Sequence, residues 1–186
     1  MNFHTQCIFR RLRAVAFVAL AGLLPAACID SKAPILTDAK PLFGKQARFH
    51  FYGLRDGAAH DEKTATYNWN GSRYAVSGKR NDMEDFTIHE FEGSDFIVQG
   101  ISPKKGRSVE YALARKLADG VYLVIVIDES DADEATRTKF CLKAESGPCS
   151  VETQEQLFGL ARATAAKPRQ QGGLAVLVAG TGRPRE

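Results

Sequence analysis

The sequence predicts an α+β fold, in which an antiparallel meander of about seven strands is followed by two C-terminal helices and a short closing strand. Three observations support this prediction. Between residues 46 and 128, short segments with apolar residues at every second position alternate with turns that contain Gly, Asn, Asp or Pro. After Asp128 the apolar spacing becomes helical, and Gly172-Gly173 then precede a final apolar run. A small β-barrel is the alternative arrangement of the same elements.

The first predicted strand begins at Gln46 and has one apolar face, which is formed by Ala47, Phe49 and Phe51. Its aromatic residues belong to a larger group in the first half of the chain. We interpret this group as sheet core, because aromatic residues are typical of strands, and a platform for a ligand or a sugar is the alternative. The group comprises Phe49, Phe51, Tyr52, Tyr67, Trp69 and Tyr74.

Asn70-Gly71 predicts a hairpin, since this dipeptide is preferred in two-residue turns between strands. A two-residue turn at this position sets Tyr67 opposite Tyr74. The segment Val121–Ile127 is apolar on both faces, which predicts a central strand that is covered on both sides. The remaining strands are predicted at Phe86–Phe91, Phe96–Ile101, Val109–Leu117 and Val121–Asp128.

The helical part of the sequence follows Asp128. Ser130, with Asp133 and Glu134 in the next turn, predicts an N-cap and the start of a first helix. A second helix is predicted from about residue 152 to residue 166, and the closing strand at Leu174–Val178. These elements form one globular domain, residues 46–180, followed by a basic tail, residues 181–186. The apolar stripe of the second helix comprises Leu157, Leu160, Ala161 and Thr164.

The chain begins with the features of a secretory signal peptide, which we assign to residues 1–27. Arg10, Arg11 and Arg13 precede an uncharged, mostly apolar run from residue 14 to residue 24. At about 1.5 Å per residue, this run is too short to cross a bilayer core of about 30 Å as a permanent helix. The segment holds three of the 25 basic residues and none of the 22 acidic ones. The rest of the chain is therefore neutral, which argues against a nucleic-acid partner.

The residues Leu24-Pro25-Ala26-Ala27-Cys28 resemble the lipobox of bacterial lipoproteins. The resemblance implies cleavage before Cys28, attachment of a diacylglycerol to its thiol, and acylation of the new amine by a fatty acid such as palmitate. In Gram-negative lipoproteins, Asp directly after the cysteine is a signal for retention in the inner membrane. Here that residue is Ile29, so the resemblance implies a lipid anchor in the outer membrane, with the domain facing the periplasm. Cleavage without acylation, which leaves a soluble periplasmic protein, is the alternative.

Residues 28–45 are predicted to be the lipidated cysteine and a tether. This stretch contains Pro34, Pro41 and Gly44 and has no clean apolar periodicity. Fully extended, the seventeen residues 29–45 reach at most roughly 55–60 Å, which suits a linker that lifts a domain away from a membrane.

The cysteines predict one disulfide bond. Cys7 is lost with the signal segment and Cys28 is the acylation candidate, so Cys141 and Cys149 remain to pair in an oxidising compartment. Gly147-Pro148, between them, favours a turn that brings the two ends together. A metal site is disfavoured because no His and no second cysteine pair lie nearby, and an oxidised pair offers no catalytic thiolate.

Other candidate sites in the sequence have simpler interpretations. The acidic run at residues 128–134 lacks the spacing of a calcium-binding loop and is typical of a helix start. His50, His60 and His89 fall in different segments without metal-ligand spacing. Gly180-Thr181-Gly182 is rejected as a phosphate loop because no helix follows it. The sequence therefore predicts no catalytic residue, no cofactor and no metal site.

These observations favour a non-enzymatic envelope lipoprotein that binds or scaffolds a partner at the periplasmic face of the outer membrane. A periplasmic inhibitor of a cell-wall hydrolase is the second hypothesis. Lipid-anchored lysozyme inhibitors also combine a lipobox, a compact antiparallel barrel and a disulfide, so the chain is similar to them in plan. A hydrolase with an unrecognised site is the third hypothesis, although no local catalytic signature supports it.

Overall fold

The computed structural model describes residues 29–55, 58–78, 85–101, 108–142, 149–167 and 172–181. Several predicted features lie outside these residues: the signal segment, Cys28, the turns at residues 103–106 and 147–148, and residues 182–186 of the tail. Among the described helices, none has the length and hydropathy that crossing a membrane requires.

Eight antiparallel strands, β2 to β9, close into a barrel. They follow the order β7-β6-β5-β4-β3-β2-β9-β8, and β8 also pairs with β7. The short strand β1 pairs with the first two residues of β7, outside the barrel. The α+β prediction is therefore confirmed, and its barrel alternative describes how the strands are arranged. The strands are β1 (Asp30–Ser31), β2 (Gln46–Arg55), β3 (Ala58–Trp69), β4 (Tyr74–Val76), β5 (Asp85–Glu90), β6 (Asp95–Ile101), β7 (Val109–Ala118), β8 (Val121–Val126) and β9 (Gly172–Thr181).

The β3–β4 hairpin forms where Asn70-Gly71 predicts it, but with a different register. Trp69 pairs with Tyr74, so four residues, rather than two, connect the strands. The Asn70 side chain explains the wider turn, because its Oδ1 accepts hydrogen bonds from the backbone N–H groups of Ser72 and Arg73, both at 3.1 Å. Gly71 has a φ of 99°, a conformation that favours glycine. The predicted pairing of Tyr67 with Tyr74 is therefore wrong.

Two α-helices, α1 (Glu134–Phe140) and α2 (Gln154–Ala165), follow the strands as predicted. The predicted N-cap at Ser130 is wrong. Asp128 caps a single 3₁₀ turn, and Asp133 caps α1 by accepting a hydrogen bond from the Thr136 N–H at 2.7 Å. Carboxylates at both positions can satisfy the free N–H groups of a helix start, which explains the acidic run. The predicted apolar stripe of α2 is buried.

The barrel wall separates two hydrophobic cores. The interior core takes side chains from all eight barrel strands, and the second core lies between the outside of the wall and the helices. Strand β8 contributes to both, because Val124 points into the interior and Ile125 packs under the helices. The prediction that this strand is covered on both faces is confirmed. Gly159 allows the helices to approach closely, since a Cβ atom there would lie 2.5 Å from the Phe140 ring.

Residues 29–45, which we name the N-terminal segment, lie against the barrel. Ile29 and Leu36 are buried in the second core, and Phe43 is buried in the interior core. The Phe43 N–H donates a hydrogen bond to the Tyr74 hydroxyl at 2.8 Å. The structure therefore attaches this segment to the domain, whereas the sequence predicts a tether. Burial of its large apolar residues is the physical reason, since each stabilises the attached state by roughly 1.5–3 kcal/mol.

Candidate functional site

The barrel interior is the first candidate for a site, and it is a packed core. Its rings meet mainly edge to face, as between Tyr67 and Phe86, whose centroids are 4.9 Å apart. A cavity among these rings, of about 20 Å³, is large enough for about one water molecule. Eight-stranded barrels are narrow enough for side chains to fill them. The part of the interior that the described residues form is therefore a packed core that contributes stability.

The predicted aromatic group divides between fully buried and partly buried positions. Phe49, Tyr67 and Tyr74 are buried in the interior core, which confirms the core interpretation for them. Phe51 and Trp69 are partly buried against the same core. Tyr52 is also partly buried, and its ring stacks on that of His50 at a centroid distance of 6.4 Å.

A buried polar chain on the outside of the barrel is the second candidate, and sequence reasoning identified only one of its members. It comprises Gln99 of β6, Thr87 and His89 of β5, and Asp38 of the N-terminal segment. Gln99 Nε2 donates to Thr87 Oγ1 at 3.0 Å. Thr87 Oγ1 lies 2.9 Å from His89 Nε2, and His89 Nδ1 lies 3.1 Å from Asp38 Oδ1. All three β-strand members are buried, and Asp38 is exposed.

A neutral His89 satisfies every group in this chain. An ionised Asp38 can only accept, so His89 Nδ1 carries the proton, and His89 Nε2 then accepts from the Thr87 hydroxyl. Burial lowers the pKa of His89, and this effect outweighs the opposing hydrogen bond to Asp38. The hydrogen bond from His89 lowers the pKa of Asp38, so Asp38 stays ionised. His89 is therefore neutral at pH 7.

The chain has the order hydroxyl, imidazole and carboxylate that is found in nucleophilic hydrolases. Thr87 does not suit the role of nucleophile, because its side chain is buried and its oxygen accepts a hydrogen bond from Gln99. Gln99 Oε1 also accepts from the backbone N–H groups of Ile35 and Leu36, at 3.0 and 3.1 Å. The chain thus holds the N-terminal segment on the barrel wall, and in this conformation it leaves no access for a substrate.

The polar chain predicts a stability that depends on pH. The unfolded chain takes up a proton at His89 near the ordinary pKa of 6.5, whereas the folded protein takes it up only at lower pH. The free energy of unfolding should therefore fall as the pH drops below 6.5 toward the lower pKa of the folded protein. Urea denaturation at pH 7.5 and 5.0 measures this loss, which should shrink in His89→Gln. His60→Gln, a change at an exposed histidine, should keep the wild-type loss. Equal losses in wild type and His89→Gln would contradict the assignment.

The structure does not bring the three histidines together as a metal site. His50 pairs with Glu62 on neighbouring strands, whereas His89 belongs to the buried polar chain. Glu129, Cys141 and Cys149 place possible ligand atoms within 4.8 Å of one another. The two sulfur atoms are bonded to each other, so they offer no thiolates to a metal. The Glu129 carboxylate instead accepts a hydrogen bond from the Cys149 N–H at 3.1 Å.

The predicted disulfide between Cys141 and Cys149 is present, with an S–S distance of 2.13 Å and Cα atoms 5.1 Å apart. It joins the end of α1 to a segment that contacts β1, because the Cys149 carbonyl accepts from the Asp30 N–H at 3.3 Å. The bond therefore stabilises the part of the domain in which the end of α1, the segment at Cys149 and β1 meet.

Removal of this disulfide should lower the melting temperature. In the chain-entropy description, closing so short a loop contributes about 2–3 kcal/mol. We therefore expect Cys141→Ser/Cys149→Ser to melt below the wild type in thermal denaturation without reductant. Reductant should lower the melting temperature of the wild type and leave that of the double variant unchanged. In denatured wild type without reductant, neither thiol should react with maleimide, and labelling of both would contradict the bond.

No protein-family model, curated protein or solved structure matches the chain.

Proposed function

We propose that this protein is a lipid-anchored, non-enzymatic binding or scaffolding protein at the periplasmic face of the outer membrane. The lipobox-like sequence that ends at Cys28 supports the location. The packed barrel interior and the buried polar chain support a role without catalysis, in which the outer surface of the domain contacts its partner.

The attachment of the residues after Cys28 is the observation that favours scaffolding. Asp30 pairs with Glu110 of β7, and its carbonyl accepts from the Val151 N–H at 2.9 Å. Ile29 is 0% exposed. An acyl group on Cys28 would thus be joined directly to a rigid domain, without a flexible linker. Such an anchor keeps the domain close to the bilayer, which suits a scaffold.

Acylation of Cys28 is the first test of this function. In bacteria that express the full chain, metabolic labelling with an alkyne analogue of palmitate should label wild type and should not label Cys28→Ala. Wild type should sediment with membranes. An uncleaved signal segment can also hold Cys28→Ala at a membrane, so the label, rather than sedimentation, distinguishes the two proteins. Cys141→Ser is the matched control: it also removes a cysteine and should keep the label. If wild type and Cys28→Ala both show only background labelling, the proposal is refuted.

A further inference from the structure

We propose that one end of the barrel, at which β7 begins and β8 ends, rests against the membrane, while the opposite end points into the periplasm. We name them the anchor end and the distal end. This inference rests on the proposed acylation of Cys28 and adds to it the orientation of the domain and the surface that meets the bilayer.

The N-terminal segment fixes where the lipid leaves the domain. The Ile29 N–H donates to the Ile127 carbonyl at 3.3 Å, and Ile127 directly follows β8. Ser31 pairs with Val109, the first residue of β7. Adjacent Cα atoms are about 3.8 Å apart across a trans peptide bond, so an acyl group on Cys28 would be attached one residue away from the fixed position of Ile29. Acyl chains on Cys28 therefore enter the bilayer beside the anchor end.

The antiparallel strand order assigns the other elements to the two ends. Because neighbouring strands alternate in direction, Ala58 at the start of β3 lies at the anchor end. The β3–β4 turn with Ser72 lies at the distal end, together with the β5–β6 and β7–β8 turns. Strand β3 has 12 residues. At about 3.3 Å per residue and a tilt of about 40°, it separates the two ends by roughly 25–30 Å.

Three exposed side chains at the anchor end are uncharged and suit a membrane interface. Leu142 is 38% exposed and pairs with Ser150. The Ser150 hydroxyl donates to the Asp30 carboxylate at 3.1 Å, so Leu142 lies close to the anchor point. Ala58 and Ala59, at the same end, are exposed and uncharged. Apolar groups at the headgroup boundary add to the affinity of an acyl anchor.

The orientation can be tested with a fluorophore on a single introduced cysteine, Ala58→Cys or Ser72→Cys. Both positions are exposed, and the other cysteines of the mature protein are the acylated Cys28 and the disulfide pair, so only the new thiol reacts. Acylated protein from bacterial membranes is reconstituted into vesicles of phosphatidylethanolamine and phosphatidylglycerol. Some of these lipids carry a nitroxide on the headgroup, which quenches only the fluorophores that come close to it. We expect at least threefold stronger quenching at position 58 than at position 72.

Each other outcome overturns the orientation. Equal quenching at both positions would mean that the barrel lies on its side, and stronger quenching at position 72 would mean that it is inverted. Quenching at neither would mean that the domain stands away from the bilayer. Mass spectrometry before reconstitution separates these failures from failure of the proposed function. A chain without acyl groups refutes both, whereas an acylated chain with the wrong quenching pattern refutes the orientation alone.

Discussion

Tyr74→Ala should cost the domain roughly 3–5 kcal/mol of stability, because truncating a buried aromatic residue leaves a cavity in the core. Tyr74 is fully buried between the rings of Trp69 and Phe86, at centroid distances of 5.2 and 5.1 Å. Its hydroxyl also accepts from the Phe43 N–H and donates to the Gly44 carbonyl at 3.0 Å. The substitution thus removes core packing and one attachment of the N-terminal segment. The free energy of unfolding of a domain is commonly about 5–15 kcal/mol, so the variant should unfold at a much lower urea concentration than the wild type.

Two further variants separate these contributions. Tyr74→Phe keeps the ring and removes the hydroxyl, so it should cost roughly 1–3 kcal/mol through the unpaired Phe43 N–H. Trp69→Ala removes a larger but partly exposed ring, and it should cost less than Tyr74→Ala. An unchanged urea midpoint in Tyr74→Ala would contradict the interior core. An unchanged midpoint in Trp69→Ala alone would place that ring at the surface, where it would be a candidate for a binding platform.

Alkaline pH should act on the same residue. Burial raises the pKa of Tyr74 to about 12 from an ordinary value of 10.0. The unfolded chain therefore loses the proton first, and stability should decline as the pH rises above 10 toward 12. In Tyr74→Phe this part of the decline should be absent, which makes the variant a control for the ionisation as well as for the hydroxyl.

The sequence predicted most of the strands and α2 because their signals are local. The closing strand is longer than predicted: β9 has 10 residues and includes Thr181, which the sequence assigns to the tail. Apolar residues at alternate positions, turn dipeptides and the buried stripe of α2 each follow from neighbours within a few residues. The β3–β4 register was wrong because one side chain, that of Asn70, sets the turn. Asn-Gly predicts that a turn is present, but the number of residues in it depends on which hydrogen bonds form.

The N-terminal segment and the polar chain could not be predicted in the same way, since they depend on contacts between distant residues. Gln99 lies 63 residues from Leu36, and in a strand it has the pattern of a solvent-exposed position. One signal was available. Ile97, on the same face as Gln99, is apolar, and so are Ile29 and Leu36 in the supposed tether. Apolar residues on both sides of such a contact indicate that the two surfaces cover each other.

Gln99→Leu should release the N-terminal segment from the barrel wall. Gln99 is fully buried and makes four hydrogen bonds, three of them to the backbone of Ile35 and Leu36. Leucine has a similar size but cannot form them, and each buried polar group left without a partner costs roughly 1–3 kcal/mol. The free energy that holds the N-terminal segment on the barrel should therefore fall by several kcal/mol.

Hydrogen exchange gives the measurement for Gln99→Leu, because it separates local release from global unfolding. The amides of Ile35 and Leu36 should exchange much faster than in the wild type, while those of the barrel strands β2 and β3 stay protected. Trypsin should then cleave more readily after Lys32, an exposed residue of the segment that is followed by Ala33. Gln46→Leu is the matched control: its side chain donates to Asn68 at the surface at 3.1 Å, so the loss should be small. Unchanged exchange at Ile35 and Leu36 in Gln99→Leu would show that the buried apolar residues alone hold the segment in place.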